Sequence, residues 1–397
     1  MSTLLAFEEA LEAIKQSASV RVEQQIIPLT SSVGRILATD VVASICVPPN
    51  ANSAMDGYAL ATNDWQAGKQ FSISQRIAAG HAPQPLMPGT CARIFTGANI
   101  PAGADTVIMQ ENAQIVGEKV AFNEPPRQGD NIRPKGQDMQ TGQTVAQAGE
   151  TLSPMHIGLL SSLGITDVTV YKPLRVGILT TGDELIAPGE TLQAGQIYNS
   201  NGPMLSALVT QAGHLVSHCI HAADTPKDTE DALQILLESC DIILSSGGVS
   251  VGEEDHVKSV LEKLGTVHLW KIAIKPGKPL VHATLKGTPF LGLPGNPSST
   301  LVTYHWFARL LLSICSGQKA QSPQSYLIDA GFNRSKTITR DEFLRVSIGQ
   351  DGLAYAHPQQ SSGALLAACQ SQGYLHIKAN TQIEYGHSYS FYPFSGF

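Results

Sequence analysis

The sequence predicts a multidomain protein of α/β plus β class. Its parts are a central doubly wound, mostly parallel α/β sheet domain, an inserted β domain, an N-terminal framework of helix and strand, and a small C-terminal β-barrel-like domain. Three observations carry this expectation. From Lys172 onward, apolar β-rich runs alternate with helical periodicity, the pattern of a parallel sheet covered on both faces. From Cys46 to Gly136, and again after Gly317, short strand-like runs are separated by Gly, Pro and Asn. The 397 residues also exceed what one core supports, about 250 to 300 residues, and suit about two to four domains.

Phe7, Ala10, Leu11 and Ile14 share one face at helical spacing, with Glu8, Glu9 and Glu12 near the helix start, so the chain should open on an amphipathic helix. A second short helix is expected after Thr30. The β domain follows, with strands in NSAMDGYAL, FSISQRIA, CARIFTG, DTVIMQEN and AQIVGEKVAF. In TLSPMHIGLLSSLG, Ser153 is the N-cap, Pro154 takes the first helical position and Gly164 ends the helix. That helix is expected to return the chain to its opening segment. The expected domains are therefore 1–45 with 137–171, 46–136, 172–316 and 317–397.

In the third domain LRVGILT, LVSHCIHAA, DIILSSGG, LWKIAI and PFLGL read as strands. NGPMLSALVTQAG, TEDALQILLES, DHVKSVLEKLG and SSTLVTYHWFARLLLSI read as helices. Right-handed crossovers then gather active groups at the C-terminal strand ends. In the tail, Asp351 and Gly352 mark a hairpin.

Composition narrows the function. With 42% apolar and 15% charged residues the chain is an ordinary globular one, and its net charge of −7 leaves no support for a broad nucleic-acid surface. No run reaches the roughly 20 apolar residues of a membrane span, and MSTLLAFEEALEAIK does not resemble a secretion signal. The six cysteines are far apart without a C-x-x-C pair, as expected of reduced thiols in a cytoplasmic protein. His214, His218 and His221 read as ordinary histidines, because offsets of four and three on a strand turn His221 away from the other two.

Chemistry concentrates in three glycine-rich turns, SSGGVSVGEEDH, KPGKP and LPGNPSS, each beside an apolar β-rich run. Such turns offer free backbone N–H groups to a phosphate or oxyanion. Ser246, Gly247 and Gly248 let the backbone approach a phosphate. Glu253 and Glu254 read as first-turn charges favoured by the helix dipole, and Asp255 as a functional carboxylate suited to magnesium. No Walker-type phosphate loop is present. Lys271 and Lys275 flank KIAI at an offset of four, which puts them on the same side of a strand, and Lys278 follows; together they form an anion clamp. LPGNPSS, with Pro294 and Pro297, brings Ser298 and Ser299 to a helix start. LTTGDEL places Thr181, Asp183 and Glu184 at a strand end, Asp183 being either a turn residue or a ligand-binding one. In the β domain, Asp56 and Thr96 each sit in a turn, and Arg133, Lys135 and Asp138 form a second cationic cluster with a carboxylate.

NSAMDGYA, FTGANIPAGADTVIMQE, NIRPKGQD, LTTGDEL, YNSNGPML, SSGGVSVGEEDH, IAIKPGKPL and LGLPGNPSS, in that order, closely resemble the molybdopterin molybdenumtransferase family, which includes the MoeA proteins and the gephyrin E domain. The resemblance implies a homodimer of four-domain subunits that inserts molybdenum from molybdate into adenylylated molybdopterin, releasing AMP in a Mg2+-dependent step. It implies functional roles for Asp56, Thr96, Arg133 and Asp138 in the β domain and hinge, and for Glu184, Asp224, Asp255, Lys271 and Lys275 in the α/β domain, the two groups meeting across the dimer. Asp56, Asp224 and Asp255 are the implied metal ligands. Lys275, Lys278, Pro279, Ser298, Arg345 in RDEFLRV and Ser361 in QQSSGALL resemble positions that line molybdate pockets. The implied protein partners are the adenylyltransferase and apo-molybdoenzymes, in transient contact. Two departures are visible: Gln137 stands where the family usually carries a glutamate, and LLAACQSQG has alanines where serine is common. An adenylyltransferase acting on molybdopterin and a non-catalytic, gephyrin-like scaffold are the alternatives.

Overall fold

The computed structural model describes residues 4–248 and 256–397. Helix α1 (Phe7–Ser17) opens the chain, its Glu9 carboxylate accepting the Ala6 N–H at 3.0 Å. Strand β1 (Gln24–Pro28) follows, and then one 3-10 turn, Leu29–Ser31, in place of the expected second helix. The β domain is a six-stranded sheet of β2 (Gly57–Leu60), β3 (Gln70–Ile77), β4 (Cys91–Ile94), β5 (Thr106–Met109), β6 (Ala113–Val116) and β7 (Lys119–Phe122), in the order β5-β2-β4-β3-β7-β6. Helix α2 (Pro154–Ser162) has the expected Ser153 cap, and Gly164 beyond it takes φ +75°. Strand β8 (Asp167–Tyr171) then pairs antiparallel with β1. Leu29, Leu37, Ala146, Leu152, Leu160, Val168 and Val170 share one buried cluster, so segments on both sides of the β domain pack together.

The α/β sheet contains β9 (Arg175–Thr181), β10 (Leu215–Ala222), β11 (Ile242–Ser246), β12 (Gly265–Lys271), β14 (Pro279–Leu285) and β15 (Thr288–Leu293). Strand β13 (Ile274–Lys275) lies between β12 and β14 in the chain but belongs to another sheet. The order is β10-β9-β11-β15-β14-β12; the first four strands are parallel, β14 runs against β15, and β12 runs against β14. Its helices are α3 (Asn201–Gln211), α4 (Pro226–Ser239), α5 (His256–Leu264), α6 (Pro297–Thr303) and α7 (Arg309–Cys315), the last two joined by a π turn. Successive strands run outward from β9 to β10 and then return to β11 on its other side, so the topological switch point lies between β9 and β11.

Two local expectations fail here. LWKIAI is not one strand: β12 ends at Lys271, while Ile274 and Lys275 pair in parallel with Asp341 and Glu342 of the C-terminal sheet. PLVHATL, absent from the expected strands, is strand β14; it is largely buried and lacks the alternation that would have marked it.

The C-terminal sheet runs β13-β17-β19-β20-β16, from β16 (Tyr326–Asp329), β17 (Asp341–Ile348), β19 (Gly373–Ile377) and β20 (Ser388–Pro393). Strand β18 (Ala354–Ala356) closes the expected hairpin on β17. Phe7, Ala10 and Ile14 of α1 join Trp306, Phe307, Phe343 and Tyr374 in one core, with the Phe7 and Trp306 rings edge to face at 5.0 Å. The opening helix therefore ties the α/β sheet to the C-terminal sheet. Among the described residues, no helix is long and apolar enough to cross a membrane.

Candidate active site

A cleft of about 1000 Å³ opens at the C-terminal ends of β9, β11 and β15, at the switch point where open α/β sheets bind ligands. Thr181 and Gly182 leave β9, Ser246, Gly247 and Gly248 leave β11, and Pro294 to Pro297 lead from β15 into α6; all of them line it. The two glycines are required by geometry. Gly247 has φ +96° and Gly248 φ +63°, and a Cβ on them would lie 2.6 Å from the Thr181 carbonyl oxygen and 2.8 Å from the Thr181 hydroxyl, respectively.

Asn201, at the start of α3, braces the floor. Its Nδ2 donates to Ser246 Oγ at 2.8 Å and to the Gly295 carbonyl at 2.6 Å, and Ser246 Oγ in turn donates to the Pro294 carbonyl at 3.0 Å. Asn201 Oδ1 and Thr181 Oγ1 are buried without a hydrogen-bond partner among the described residues, although both side chains line the cleft. Buried polar atoms are costly when unpaired, so these two are suited to meet a ligand.

One wall is cationic. Lys275, Lys278 and Arg340 line it with Pro276, Gly277 and Pro279. Lys275 Nζ lies 2.9 Å from the almost fully buried Glu342, whose other oxygen has Arg334 Nη1 at 2.5 Å without hydrogen-bond alignment. Lys275 is thus held in place by an acid that takes up part of its charge. Arg340 donates to the Ile274 carbonyl at 3.0 Å. Gln360, Ser361 and Ser362 complete this side.

The opposite lip carries Glu184 and Asp224. Asp183 lies behind it, its Oδ1 accepting the Asp224 N–H at 2.9 Å. Partial burial pushes the Asp224 carboxyl above the usual carboxylate range; repulsion from Asp183 and Glu184 adds to this, while a hydrogen bond that the carboxyl accepts from the Asp183 backbone and the nearby His221 oppose it.

Several expected site residues stand elsewhere. Ser298 and Arg345 do not line the cleft: both are fully buried behind its wall, where Arg345 holds the 359–361 segment against α6. Lys271 ends β12 outside the cleft lining, apart from Lys275. Asp56, Thr96, Arg133 and Asp138 lie in the N-terminal half and none lines the cleft, so one chain does not bring the two groups together. There, Asp56 Oδ1 accepts from Thr96 N–H at 2.8 Å and Thr96 Oγ1 at 2.9 Å, which holds its carboxyl below the usual range, with Arg93 adding attraction. Asp255, Glu253 and Glu254 lie outside the described residues.

Sequence reasoning missed Asn199, Asn201, Arg340 and Gln360. YNSNGPML had marked the first two as a motif without a role, and RDEFLRV begins with Arg340.

Comparison with known proteins agrees with this architecture. Residues 5–164 match the MoeA N-terminal region (domain I and II), 177–313 a probable molybdopterin binding domain, and 329–394 the MoeA C-terminal region (domain IV). The molybdopterin molybdenumtransferase of Haemophilus influenzae is 39% identical over 345 residues, 86% of this chain and 85% of that protein. That of Synechococcus elongatus is 32% identical over 93% of this chain and 94% of its own. The crystal structure of the molybdopterin biosynthesis MoeA protein from Pyrococcus horikoshii superposes with a TM-score of 0.86 at 26% identity, covering 99% of this chain and 100% of that one. With its three regions matched in order and its fold shared end to end, this chain belongs to the MoeA family, the molybdopterin molybdenumtransferases.

Proposed function

We propose that this enzyme inserts molybdenum from molybdate into adenylylated molybdopterin and releases AMP in a Mg2+-dependent step. The observation that carries the reading is the cleft itself: a glycine turn at the switch point, faced on one side by Lys275, Lys278 and Arg340 and on the other by Glu184 and Asp224. Molybdate is a dianion and the adenylated substrate carries a phosphoanhydride, so productive approach requires that their repulsion be offset. The two lysines and Arg340 supply the positive potential that offsets it. Attack of a water oxygen on one phosphorus of the phosphoanhydride would form a new P–O bond as the bridging P–O bond breaks. The water oxygen stays on one product phosphate, the bridging oxygen leaves on the other, the released proton passes to phosphate or solvent, and AMP and the molybdopterin phosphate result.

Magnesium suits the acidic lip. Asp224 and Glu184 are hard oxygen donors; partial burial raises the Asp224 carboxyl, Asp183 and Glu184 add repulsion, and a cation would offset that repulsion. Among the described residues no three acidic, His or Cys side chains converge as a metal cage. That agrees with an ion that keeps several waters and takes ligands from substrate phosphates. Bound there, it would neutralise charge on the phosphate oxygens.

The same reading divides the chain into 1–45 with 137–171, 46–136, 172–316 and 317–397. It assigns the cytoplasm as its compartment and a homodimer as its working form, in which the partner's β domain brings its own Asp56, Thr96, Arg133 and Asp138 to this cleft. Lys271, Ser298 and Arg345 then act by positioning. Incubation with adenylylated molybdopterin, molybdate and Mg2+ should release AMP and activate a molybdenum-free apoenzyme. Adenylation of molybdopterin from ATP with no such activation would overturn the reading.

A further inference from the structure

A second cavity, of about 370 Å³, opens beside the main cleft and has the opposite chemistry. Consecutive strand residues face opposite sides of a sheet. Thr181 lines the cleft and Thr180 lines the side pocket, so the two open on opposite faces of the end of β9. They meet around that end, where Leu185 and Asn199 line both.

The polar floor of the side pocket is already ordered. Asn199 Nδ2 donates to Thr180 Oγ1 at 2.9 Å, Asn199 Oδ1 accepts the Gly202 N–H at 3.0 Å, and His221 Nδ1 lies 3.5 Å from the Thr180 hydroxyl. Ile186, Pro188 and Pro203 add apolar wall. The outer wall is tied down by the Tyr198 hydroxyl, which donates to the Glu190 carbonyl at 2.9 Å. Among the described residues no lysine or arginine lines this pocket, and Glu190 contributes an acid. A phosphate would find repulsion here and no counter-charge. A neutral flat ring would find apolar faces and a few fixed polar groups at its edge, the usual composition of a small-molecule site at the low end of the common size range.

The geometry points to a bipartite ligand: its phosphate-bearing part occupies the main cleft, and a neutral, planar, nitrogen-containing bicycle occupies the side pocket. This rests on the function proposed above, which supplies two rings of that chemistry, adenine and pterin.

Cys219 provides the test, because it lines the side pocket and not the main cleft, and it is exposed. Maleimide alkylation of the full chain is followed at Cys219 by peptide mass spectrometry, with AMP, inorganic pyrophosphate or 6-hydroxymethylpterin present. The exposed Cys369, which lines neither pocket, is the internal control. At ten times its dissociation constant, AMP should slow labelling of Cys219 about tenfold and leave Cys369 unchanged, while pyrophosphate slows neither. Protection by the pterin and not by AMP assigns the pocket to the other ring. Protection by pyrophosphate equal to that by AMP, or by none of the three, overturns the subsite. As a second arm, Ala187→Trp, which narrows the side pocket alone, should weaken AMP binding about tenfold and spare pyrophosphate; equal affinity for AMP in both proteins counts against it. Molybdenum insertion measured on the same samples separates the two ideas. Insertion without ring protection sinks only the subsite, and ring protection without insertion sinks only the reaction.

Discussion

Arg345 donates from Nη1 to the Ser298 hydroxyl at 2.7 Å, with both side chains fully buried, and its Nη2 reaches the carbonyls of Gln359 and Ser361 at 3.2 Å. One guanidinium thus joins the start of α6 to the loop that supplies Ser361 and Ser362 to the cleft. Arg345→Met removes three charge-assisted bonds and should cost about 3 kcal/mol, read as a lower urea midpoint. Arg345→Lys keeps the charge but loses the planar fork, so it should recover only part of the midpoint. Molybdate affinity, measured by calorimetry, should fall in both variants. A wild-type midpoint in Arg345→Met would remove the bracing role.

Lys275 and Glu342 should separate binding from stability. The Lys275 side chain is 41% exposed and that of Glu342 3% exposed, and the acid also faces Arg334. Lys275→Ala leaves Glu342 its second cation, so the unfolding midpoint should shift little while affinity for molybdate drops at least about tenfold. Glu342→Gln takes the shared acid from Lys275 and from the partly buried Arg334 and should lower the midpoint more than Lys275→Ala does. The same stability loss in both variants would show Lys275 to be a structural residue.

What the sequence revealed and what it hid follow from the range of each interaction. The Ser246–Gly248 turn was legible because positive φ is a local demand that glycine meets. Asn201 was not, since its meaning depends on Gly295, 94 residues further along. KIAI looked like one strand because its apolar character is continuous; only pairing of Ile274 and Lys275 with Asp341 and Glu342 splits it between two sheets. RDEFLRV offered two arginines, and pattern alone could not say that Arg340 meets the cleft while Arg345 is buried behind it. Resemblance selected Arg345, whose burial behind the wall only the fold reveals.

Asp224 and Asp56 should respond to pH in opposite directions. Burial, with Asp183 and Glu184 nearby, raises the Asp224 carboxyl, so the folded state favours its protonated form; that contribution to stability is present below the unfolded value and is lost as pH rises through the folded one. Asp224→Asn should therefore raise the melting temperature slightly at pH 7 while abolishing Mg2+ binding. Asp56 is lowered by its two bonds from Thr96, so its contribution is present above the unfolded value and is lost as pH falls through the folded one. Melting curves of Asp224→Asn and Asp56→Asn from pH 3 to 7 check both signs. A lower melting temperature for Asp224→Asn at pH 7 would contradict the first.

Acid should loosen the α/β domain before most of its carboxylates titrate. Burial pulls His214 and His282 down to about 4 and His305 to about 3; His268 adds repulsion at His282 and Arg309 adds it at His305. His305 also stacks on Phe397 at 4.5 Å and its Nδ1 lies 3.1 Å from the Tyr374 hydroxyl, in a buried setting. In the unfolded chain each histidine protonates near about 6.5. Their folded values are depressed, so the stability they contribute is complete above about 6.5 and is lost as pH falls toward the folded values. At pH 5 the loss should be about 2 kcal/mol per histidine, with unfolding taking up close to three protons from these groups. Urea midpoints measured between pH 7 and pH 5 should fall steadily, and His282→Gln should flatten the slope by about one proton. A midpoint that stays constant to pH 5 would mean that these rings are hydrated or paired in the folded protein.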